Sequence, residues 1–150
     1  MRRGKRLIRV LYEQARLLSG TVPVVLLPNY DLALAQLLVA GCDICVNTPL
    51  PHFEASGTSG MKAAFNGVPS PSVADGWWIE GCIEGVTGWS VDDAKSLYDK
   101  PDRVVLPLFY GYGETPLDWL RVMKGAISTN AMYFNSHRMM RRYATEAYLR

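Results

Sequence analysis

The stretch VPVVLLPNYDLALAQLLVAGCDICVN, residues 22–47, decides the fold class. Residues 22–27 form a nearly all-apolar run that stops at a Pro-Asn pair, which is typical of a strand buried on both faces of a parallel sheet. Asp31 can then cap a helix that ends at a glycine, and residues 43–47 (DICVN) are predicted to form a second buried strand. The order of strand, helix and strand predicts a βαβ unit.

The alternation continues further along the chain. A glycine-rich turn at residues 57–60 begins a third helix that runs through Phe65, and another strand is predicted at residues 72–74. This alternation predicts a doubly wound α/β fold with an open parallel sheet, in a single domain over residues 1–150. Such sheets bind ligands at the carboxyl ends of their strands. The predicted ligand edge is formed by the loops after Leu27, Asn47 and Ala74.

Helices are predicted at both ends of the chain. The first is amphipathic, has a basic start and ends near Gly20. Its basic face fits a solvated surface, because no aromatic residues interleave the charges, although contact with an anion or polymer stays open. A helix that opens at Pro116 has an apolar side, and a stripe of Met and Tyr residues near the C-terminus predicts core packing or a docking face. The apolar positions are Trp119, Val122, Met123, Ala126 and Ile127 in the first of these helices, and Met139, Met140, Tyr143, Ala144, Ala147 and Tyr148 in the second.

Composition excludes several classes of protein. The 150 residues are 49% hydrophobic and 20% charged, unlike disordered, collagen-like or disulfide-dense chains. A net charge of +2 does not indicate a nucleic-acid partner. No apolar run is long enough to predict a membrane span, and no signal peptide is recognisable. The three cysteines predict no disulfide framework, so we expect a cytoplasmic protein.

The segment EASGTSGMK, residues 54–62, carries the predicted chemistry. The first turn of a helix has unpaired N–H groups, and glycines let an anion approach them closely. We therefore expect an anion near residues 58–60. Thr58 and Lys62 lie four apart on one helix face, and helical side chains lean toward the N-terminus, so the Lys62 amine is aimed at the same place.

The segment fits some phosphate sites better than others. A P-loop places its lysine directly after a glycine, whereas Met61 intervenes here, and the dinucleotide pattern GxGxxG is absent. A lysine beside a phosphate cradle, flanked by Met61, Ala63 and Ala64, is what a pyridoxal phosphate site requires. The residues alone leave open a simpler interpretation, a glycine-rich helix start with a surface lysine.

Three other groups of residues are candidate sites. Cys42 and Cys45 have CxxC spacing, but on a strand they would point to opposite faces, which favours structural thiols over a redox or metal site. His52 and His137 are isolated, so no metal site is predicted. Acidic residues beside tryptophans offer the elements of a glycosidase. These acidic and aromatic residues are Asp75, Trp77, Trp78, Glu80, Glu84 and Trp89.

The run EASGTSGMKAAFNG resembles the pyridoxal phosphate segment of the α-glucan (glycogen, starch and maltodextrin) phosphorylases. The flanking stretches PNYDLALAQLLVAGCD, VADGWWIEG and IEGVTGWS are similar to the short bacterial and archaeal form. The resemblance covers essentially the whole chain and corresponds to the C-terminal part of a family member. It implies the Rossmann-like C-terminal half of a GT-B glycosyltransferase, followed by trailing helices.

The resemblance also implies roles for individual residues, and it favours a structural role at the pocket rim over a glycosidase for the acidic and tryptophan residues named above. Lys62 corresponds to the lysine that forms an imine with pyridoxal phosphate, and residues 58–60 surround the cofactor phosphate. The implied cofactor-binding residues are Thr58, Ser59, Gly60, Lys62 and Tyr30. The implied glucose-binding residues are Glu54, Ala55, Ser56 and Gly57. In the family, the cofactor phosphate exchanges a proton with inorganic phosphate while α-1,4-glucan is cleaved to glucose 1-phosphate.

Departures from the family pattern limit the expected activity. Asp31 stands where the long-form enzymes carry an arginine, as in the short form. The lysine and arginine that grip inorganic phosphate, and the N-terminal domain that forms the other wall of the cleft, have no counterpart in the chain. We therefore expect that the chain alone does not turn over glucan. The alternatives are a non-catalytic remnant that binds sugar phosphate and one subunit of a split enzyme.

Overall fold

The computed structural model describes residues 2–111 and 116–149. The chain divides into two compact units, residues 1–35 and residues 36–150. The helices are α1 (Arg2–Leu18), α2 (Leu32–Gly41), α3 (Thr58–Phe65), α4 (Trp78–Gly81), α5 (Ala94–Lys100), α6 (Leu106–Tyr110), α7 (Leu117–Gly125) and α8 (Ser136–Tyr143). The strands are β1 (Ser70–Val73) and β2 (Gly88–Val91), and π-helical turns occupy Pro101–Val105, Ala126–Ala131 and Ala144–Tyr148.

The first unit contains one correct and one wrong prediction. Helix α1 forms as the amphipathic pattern predicted. The strand predicted at residues 22–27 is absent from the structure: this run is irregular, and Val25 is 72% exposed. An all-apolar run shows that a segment can be buried on two faces, but it does not identify the strand and layers that would bury it. Within the described residues, no segment pairs with this run.

Helix α2 begins at Leu32, directly after the predicted N-cap residue Asp31. The Asp31 carboxylate accepts the Leu34 N–H at 2.8 Å, and the Asp31 carbonyl accepts the Ala35 N–H. The carboxylate thus satisfies a donor at the helix start that has no intrahelical partner, and the carbonyl accepts the first i→i−4 bond of the helix. The helix ends at Gly41, as its C-terminal glycine indicated.

The sheet of the second unit is small and parallel. Strands β1 and β2 pair in parallel, with Ser70 opposite Gly88 and Val73 opposite Val91. The predicted strand at residues 43–47 lies along the other edge of β1, although only Asn47 forms a bridge. Backbone bonds run from Cys45 N–H to the Pro69 carbonyl, from Asn47 N–H to the Pro71 carbonyl and from Val73 N–H to the Asn47 carbonyl, at 3.1–3.2 Å. The fold is therefore α/β, with three parallel segments connected through α3 and α4.

Two apolar clusters support this sheet. The first joins Trp77 and Trp78 with Ala64 and Ala126, and Phe134 packs edge-on against Trp77 at 5.2 Å between ring centroids. The second consists of Trp89, Val105, Trp119 and Val122, with Trp89 and Trp119 stacked at 6.2 Å. The first cluster packs directly beneath the start of α3. It therefore supports residues 54–62, the segment predicted to carry the chemistry.

The two C-terminal apolar stripes differ in burial. In α7 and the turn that follows it, Trp119, Val122 and Ala126 are buried, which confirms the predicted core side at these three positions, whereas Ile127 is 42% exposed. In α8, Met140 is 62% exposed and Tyr143 is 53% exposed, so core packing is wrong for this stripe. Among the described residues, no helix combines the length and apolar character that a membrane crossing requires.

Candidate functional site

The loop after Asn47 is tied to the loop after β1 by a buried carboxylate. The Glu54 N–H donates to Asp75 Oδ2 at 3.0 Å, and the Gly76 N–H donates to Asp75 Oδ1 at 2.8 Å. The bond from the Glu54 amide is the main reason that the pKa of Asp75 lies below its usual value. Two of the three loops predicted to share the ligand edge, those after Asn47 and Ala74, are therefore joined at Asp75.

Close packing against Trp77 fixes the glycine-rich turn. The backbone N–H of Trp77 donates to the Ser56 carbonyl at 2.8 Å, and the indole ring of Trp77 packs under the first turn of α3. A Cβ atom on Gly60 would lie 2.9 Å from Trp77 Nε1, and a Cβ atom on Gly76 would lie 2.6 Å from the Ser56 carbonyl oxygen. Gly57 has a φ of 85°, which favours glycine. Packing thus explains Gly60, for which the sequence suggested only the approach of an anion.

The predicted sugar and phosphate residues line one cavity of about 330 Å³. Its lining runs continuously along the loop and into the first turn of α3. The N-cap of α3 is Gly57, which has no side chain to cover the N–H groups of that turn. The lining residues are Asn47, Glu54, Ala55, Ser56, Gly57, Thr58, Ser59 and Gly60.

The remaining two predicted site residues lie outside this lining. Lys62 is in the second turn of α3, four residues after Thr58, and its side chain is exposed. Tyr30 belongs to the first unit and is 68% exposed. The structure thus brings together the residues predicted to contact phosphate and sugar.

Sequence reasoning missed three residues that build the site. Asn47 lines the cavity, and its place at the end of a predicted strand was the available signal. Asp75 and Trp77 were considered only as a glycosidase element or pocket rim, whereas they hold the loop through hydrogen bonds and packing. The pattern VADG at residues 73–76 marked the position of Asp75, but it did not predict that the Asp75 carboxylate accepts the Glu54 N–H.

The other candidates have weaker geometry. Cys42 and Cys45 are free and half-buried, and burial raises the pKa of both thiols, which disfavours the reactive thiolate. Cys82 is likewise half-buried, and burial raises its pKa to about 11. His52 is exposed, with a φ of 69°, and lies outside the cavity lining.

A second, larger cavity of about 800 Å³ lies on the other side of the loop. Ala55, Ser56 and Thr58 contribute to both cavities, so the loop is a thin wall between them. The far side of the larger cavity carries Arg138 and Arg142 from α8. Arg142 pairs with Glu146 at 3.0 Å, and Arg138 lies over the Tyr133 ring at 3.4 Å from its centroid.

The chain is similar to known proteins of one family. The carbohydrate phosphorylase family matches residues 7–86. This chain belongs to that family. It is 37% identical to a maltodextrin phosphorylase of Thermococcus litoralis and 37% identical to a glycogen phosphorylase of Aquifex aeolicus, in each case over 97% of the chain. A glycogen phosphorylase of Mycobacterium tuberculosis is 36% identical over the same share.

The phosphorylase match covers only part of these relatives. The chain spans 19% of the Thermococcus protein, 23% of the Aquifex protein and 18% of the Mycobacterium protein. No solved structure matches the chain. The resemblance recognised in the sequence is thereby confirmed at the level of the family, for a segment about one fifth as long as its relatives.

Proposed function

We propose that this chain forms the cofactor-binding and sugar-binding side of an α-glucan phosphorylase active site. In this proposal the fold is the Rossmann-like C-terminal half of a GT-B glycosyltransferase. The parent reaction is phosphorolysis of α-1,4-glucan to glucose 1-phosphate. The observation that carries the proposal is the single cavity that gathers residues 54–60 at the start of α3.

The first turn of α3 fits the phosphate group of pyridoxal phosphate. Thr58 and Ser59 contribute exposed hydroxyl groups, and the positive end of the helix dipole favours an anion there. Gly57 leaves this helix end free of a side-chain cap. When bound, the cofactor supplies its phosphate as a proton-exchanging group beside inorganic phosphate.

Lys62 would bind the carbonyl end of the cofactor. It follows Thr58 by one helical turn, so its amine can reach back toward the first turn of the helix. Its neighbours Ala63 and Ala64 are buried, which fixes the backbone from which the lysine extends. Tyr30 is proposed to line the same pocket.

The loop before α3 would hold the transferred glucose. Glu54 offers a carboxylate to sugar hydroxyl groups, while Ala55, Ser56 and Gly57 offer backbone groups close to the cavity. Asp75 keeps the Glu54 amide in place, so the loop is ordered before the sugar arrives. Ordering of this kind lowers the entropy lost on binding.

The chain alone is proposed to be inactive toward glucan. Its cavity is open, and Lys62 is exposed, so water reaches the groups that would act on phosphate and sugar. Electrostatic catalysis requires a closed and water-poor site. Inorganic phosphate and α-glucan are therefore substrates of a complete cleft, with the second wall contributed by an N-terminal domain or subunit.

Chemical trapping tests the cofactor site. The chain is incubated with pyridoxal phosphate, reduced with borohydride and digested, and the labelled peptide is identified by mass spectrometry. We expect the label on Lys62 and its loss in Lys62→Ala. Lys124, which is exposed on α7, is the matched control. Label on Lys95, Lys100 or Lys124 in place of Lys62 would overturn the assignment.

Turnover is the complementary measurement. The purified chain, supplied with cofactor, inorganic phosphate and maltodextrin, is expected to release no glucose 1-phosphate. Release of glucose 1-phosphate would contradict the proposed inactivity while leaving the assignment of Lys62 intact.

A second candidate function is that of an interaction subunit without its own catalysis. The observation that favours it is the exposed apolar stripe of α8, where Met140 and Tyr143 are more than half exposed. Size-exclusion chromatography tests this candidate. Association with an added phosphorylase N-terminal domain would support it, whereas a monomer that ignores that domain would exclude a subunit of a split enzyme and favour a non-catalytic remnant.

A further inference from the structure

We infer that Asn47 is a further ligand-binding residue of the proposed site, where its side-chain Nδ2 donates a hydrogen bond to the phosphate group held at the start of α3. The inference rests on the proposed function, which places an anion at that helix start. In the lining of the cavity, Asn47 is the one residue outside the continuous segment 54–60. It therefore brings a polar side chain to the cavity from a different element, the predicted strand at residues 43–47.

The small sheet holds the backbone of Asn47 in place. The Asn47 N–H donates to the Pro71 carbonyl at 3.2 Å, and the Asn47 carbonyl accepts the Val73 N–H at 3.1 Å. Both backbone groups are thus satisfied within the protein. The residue lies at the carboxyl end of a parallel segment, where open α/β sheets bind ligands. Because its side chain extends from a fixed backbone, less order has to be gained when a ligand binds.

The side-chain amide of Asn47 is available to a ligand. Among the described residues it has no hydrogen-bond partner, whereas Asn66 Nδ2 donates to the Lys62 carbonyl at 2.8 Å. Asn135 Nδ2 likewise donates to a backbone carbonyl, at 2.6 Å. Asn47 is half-buried, and neither Nδ2 nor Oδ1 is among the fully buried atoms that lack a partner. Solvent, and hence a ligand in the cavity, reaches this amide.

The charges of the lining explain why a neutral donor suits residue 47. Glu54 is the one ionisable residue in the lining, so no cation of the lining balances a bound phosphate. The available donors are neutral: the N–H groups of the first turn of α3, the hydroxyl groups of Thr58 and Ser59, and the Asn47 amide. An aspartate at residue 47 would only accept hydrogen bonds and would add a second carboxylate beside the phosphate. Asparagine has the same shape, supplies a donor and adds no charge.

The side-chain amide signal of Asn47 in NMR spectra tests this contact in the wild-type chain. Inorganic phosphate is titrated at constant ionic strength against chloride, and the Asn47 Nδ2 signal is identified by its loss in Asn47→Asp. We expect this signal to shift saturably together with the backbone amides of residues 58–60, while the side-chain signals of Asn66 and Asn135 stay in place. A shift at residues 58–60 without one at Asn47, or no saturable shift, would overturn the inference.

A change of charge at residue 47 gives a second readout. Asn47→Asp is expected to lower borohydride trapping of pyridoxal phosphate at Lys62 at least about tenfold, and trapping of unphosphorylated pyridoxal less than about twofold. Asn135→Asp is the matched control, because it adds the same charge outside this lining, at a helix N-cap where aspartate is favoured. Trapping in this control should equal that in the wild type. Equal losses with both compounds in Asn47→Asp, or no loss, would contradict the contact.

Failure of this inference and failure of the proposed function give different results. If phosphate shifts the Asn47 signal but pyridoxal phosphate does not label Lys62 in the wild-type chain, the cofactor assignment fails and the phosphate contact of Asn47 stands. If Lys62 is labelled with a preference for the phosphorylated compound and Asn47→Asp keeps that preference, the proposed function stands and the role of Asn47 is refuted.

Discussion

The loop at residues 54–60 and the apolar run at residues 22–27 differ in the contacts that surround them. The loop is fixed by contacts that the second unit contains, with Asp75 holding its amide and Trp77 packing beneath it. The apolar run has no strand beside it within the described residues, and Val25 is largely exposed. A short apolar sequence therefore specifies burial only where the covering layers are present.

Gly76→Ala is expected to produce the largest effect on the loop. Its φ is 53°, and the added Cβ would lie 2.6 Å from the Ser56 carbonyl oxygen, which is backbone and cannot move aside cheaply. We expect a loss of about 2–4 kcal/mol in the free energy of unfolding, measured by urea denaturation.

Gly41→Ala is the matched control for that substitution. Nothing lies within 4 Å of its added Cβ, and the residue is helical, so stability should rise by up to about 1 kcal/mol. Equal losses in the two variants would show that close packing at Gly76 is not what fixes the loop.

Asp75→Ala is expected to have the next largest effect. Two backbone N–H groups lose their acceptor, so the Tm should fall by about 4 °C or more, and hydrogen exchange at the Glu54 amide should accelerate. Asp92→Ala is the control, because Asp92 also follows a strand but is exposed. An unchanged exchange rate at Glu54 would contradict the role of Asp75.

The Asp75 carboxylate also predicts a pH dependence of stability. The pKa of Asp75 is lowered in the folded state from an ordinary value of 3.8, so its stabilising contribution is complete above that value. The contribution is lost as the pH falls through 3.8 toward the folded-state pKa. The Tm difference between wild type and Asp75→Ala should therefore be constant near neutral pH and shrink below about pH 4. A Tm difference that grows as the pH falls would contradict the stabilising role of the ionised Asp75 carboxylate.

Val25→Ser is expected to have the smallest effect. The side chain is 72% exposed, so its replacement should change the free energy of unfolding by less than about 0.5 kcal/mol. Urea denaturation of the isolated chain measures this. A loss of more than about 1.5 kcal/mol, typical of a buried valine, would mean that the run is covered in solution.

Local signals were predicted well from the sequence. The capping of α2 by Asp31 and the start of α3 at residues 57–60 depend on neighbouring residues, and the structure confirms both. The predicted strand at residues 43–47 lies beside β1 but bridges only at Asn47. The run at residues 22–27 was wrong as a strand, because pairing depends on a distant segment that periodicity does not reveal.

The residues that line the candidate site were predicted from the sequence, but the contacts that hold them in place were not. Motif resemblance identified the residues from Glu54 to Gly60 that line one cavity. It gave no sign that Gly60 accommodates the Trp77 ring, or that Asp75 holds the Glu54 amide. Contacts of this kind cross between loops that are about 20 residues apart in sequence, so spacing rules for a single helix or strand do not reach them.

The most direct test of the central claim compares labelling by pyridoxal phosphate with labelling by pyridoxal, which lacks the phosphate group. If the first turn of α3 is a phosphate cradle that serves Lys62, borohydride trapping at Lys62 should be at least about tenfold more efficient with the phosphorylated compound, while Lys124 should show little preference. Equal labelling of Lys62 and Lys124 by both compounds would contradict the account.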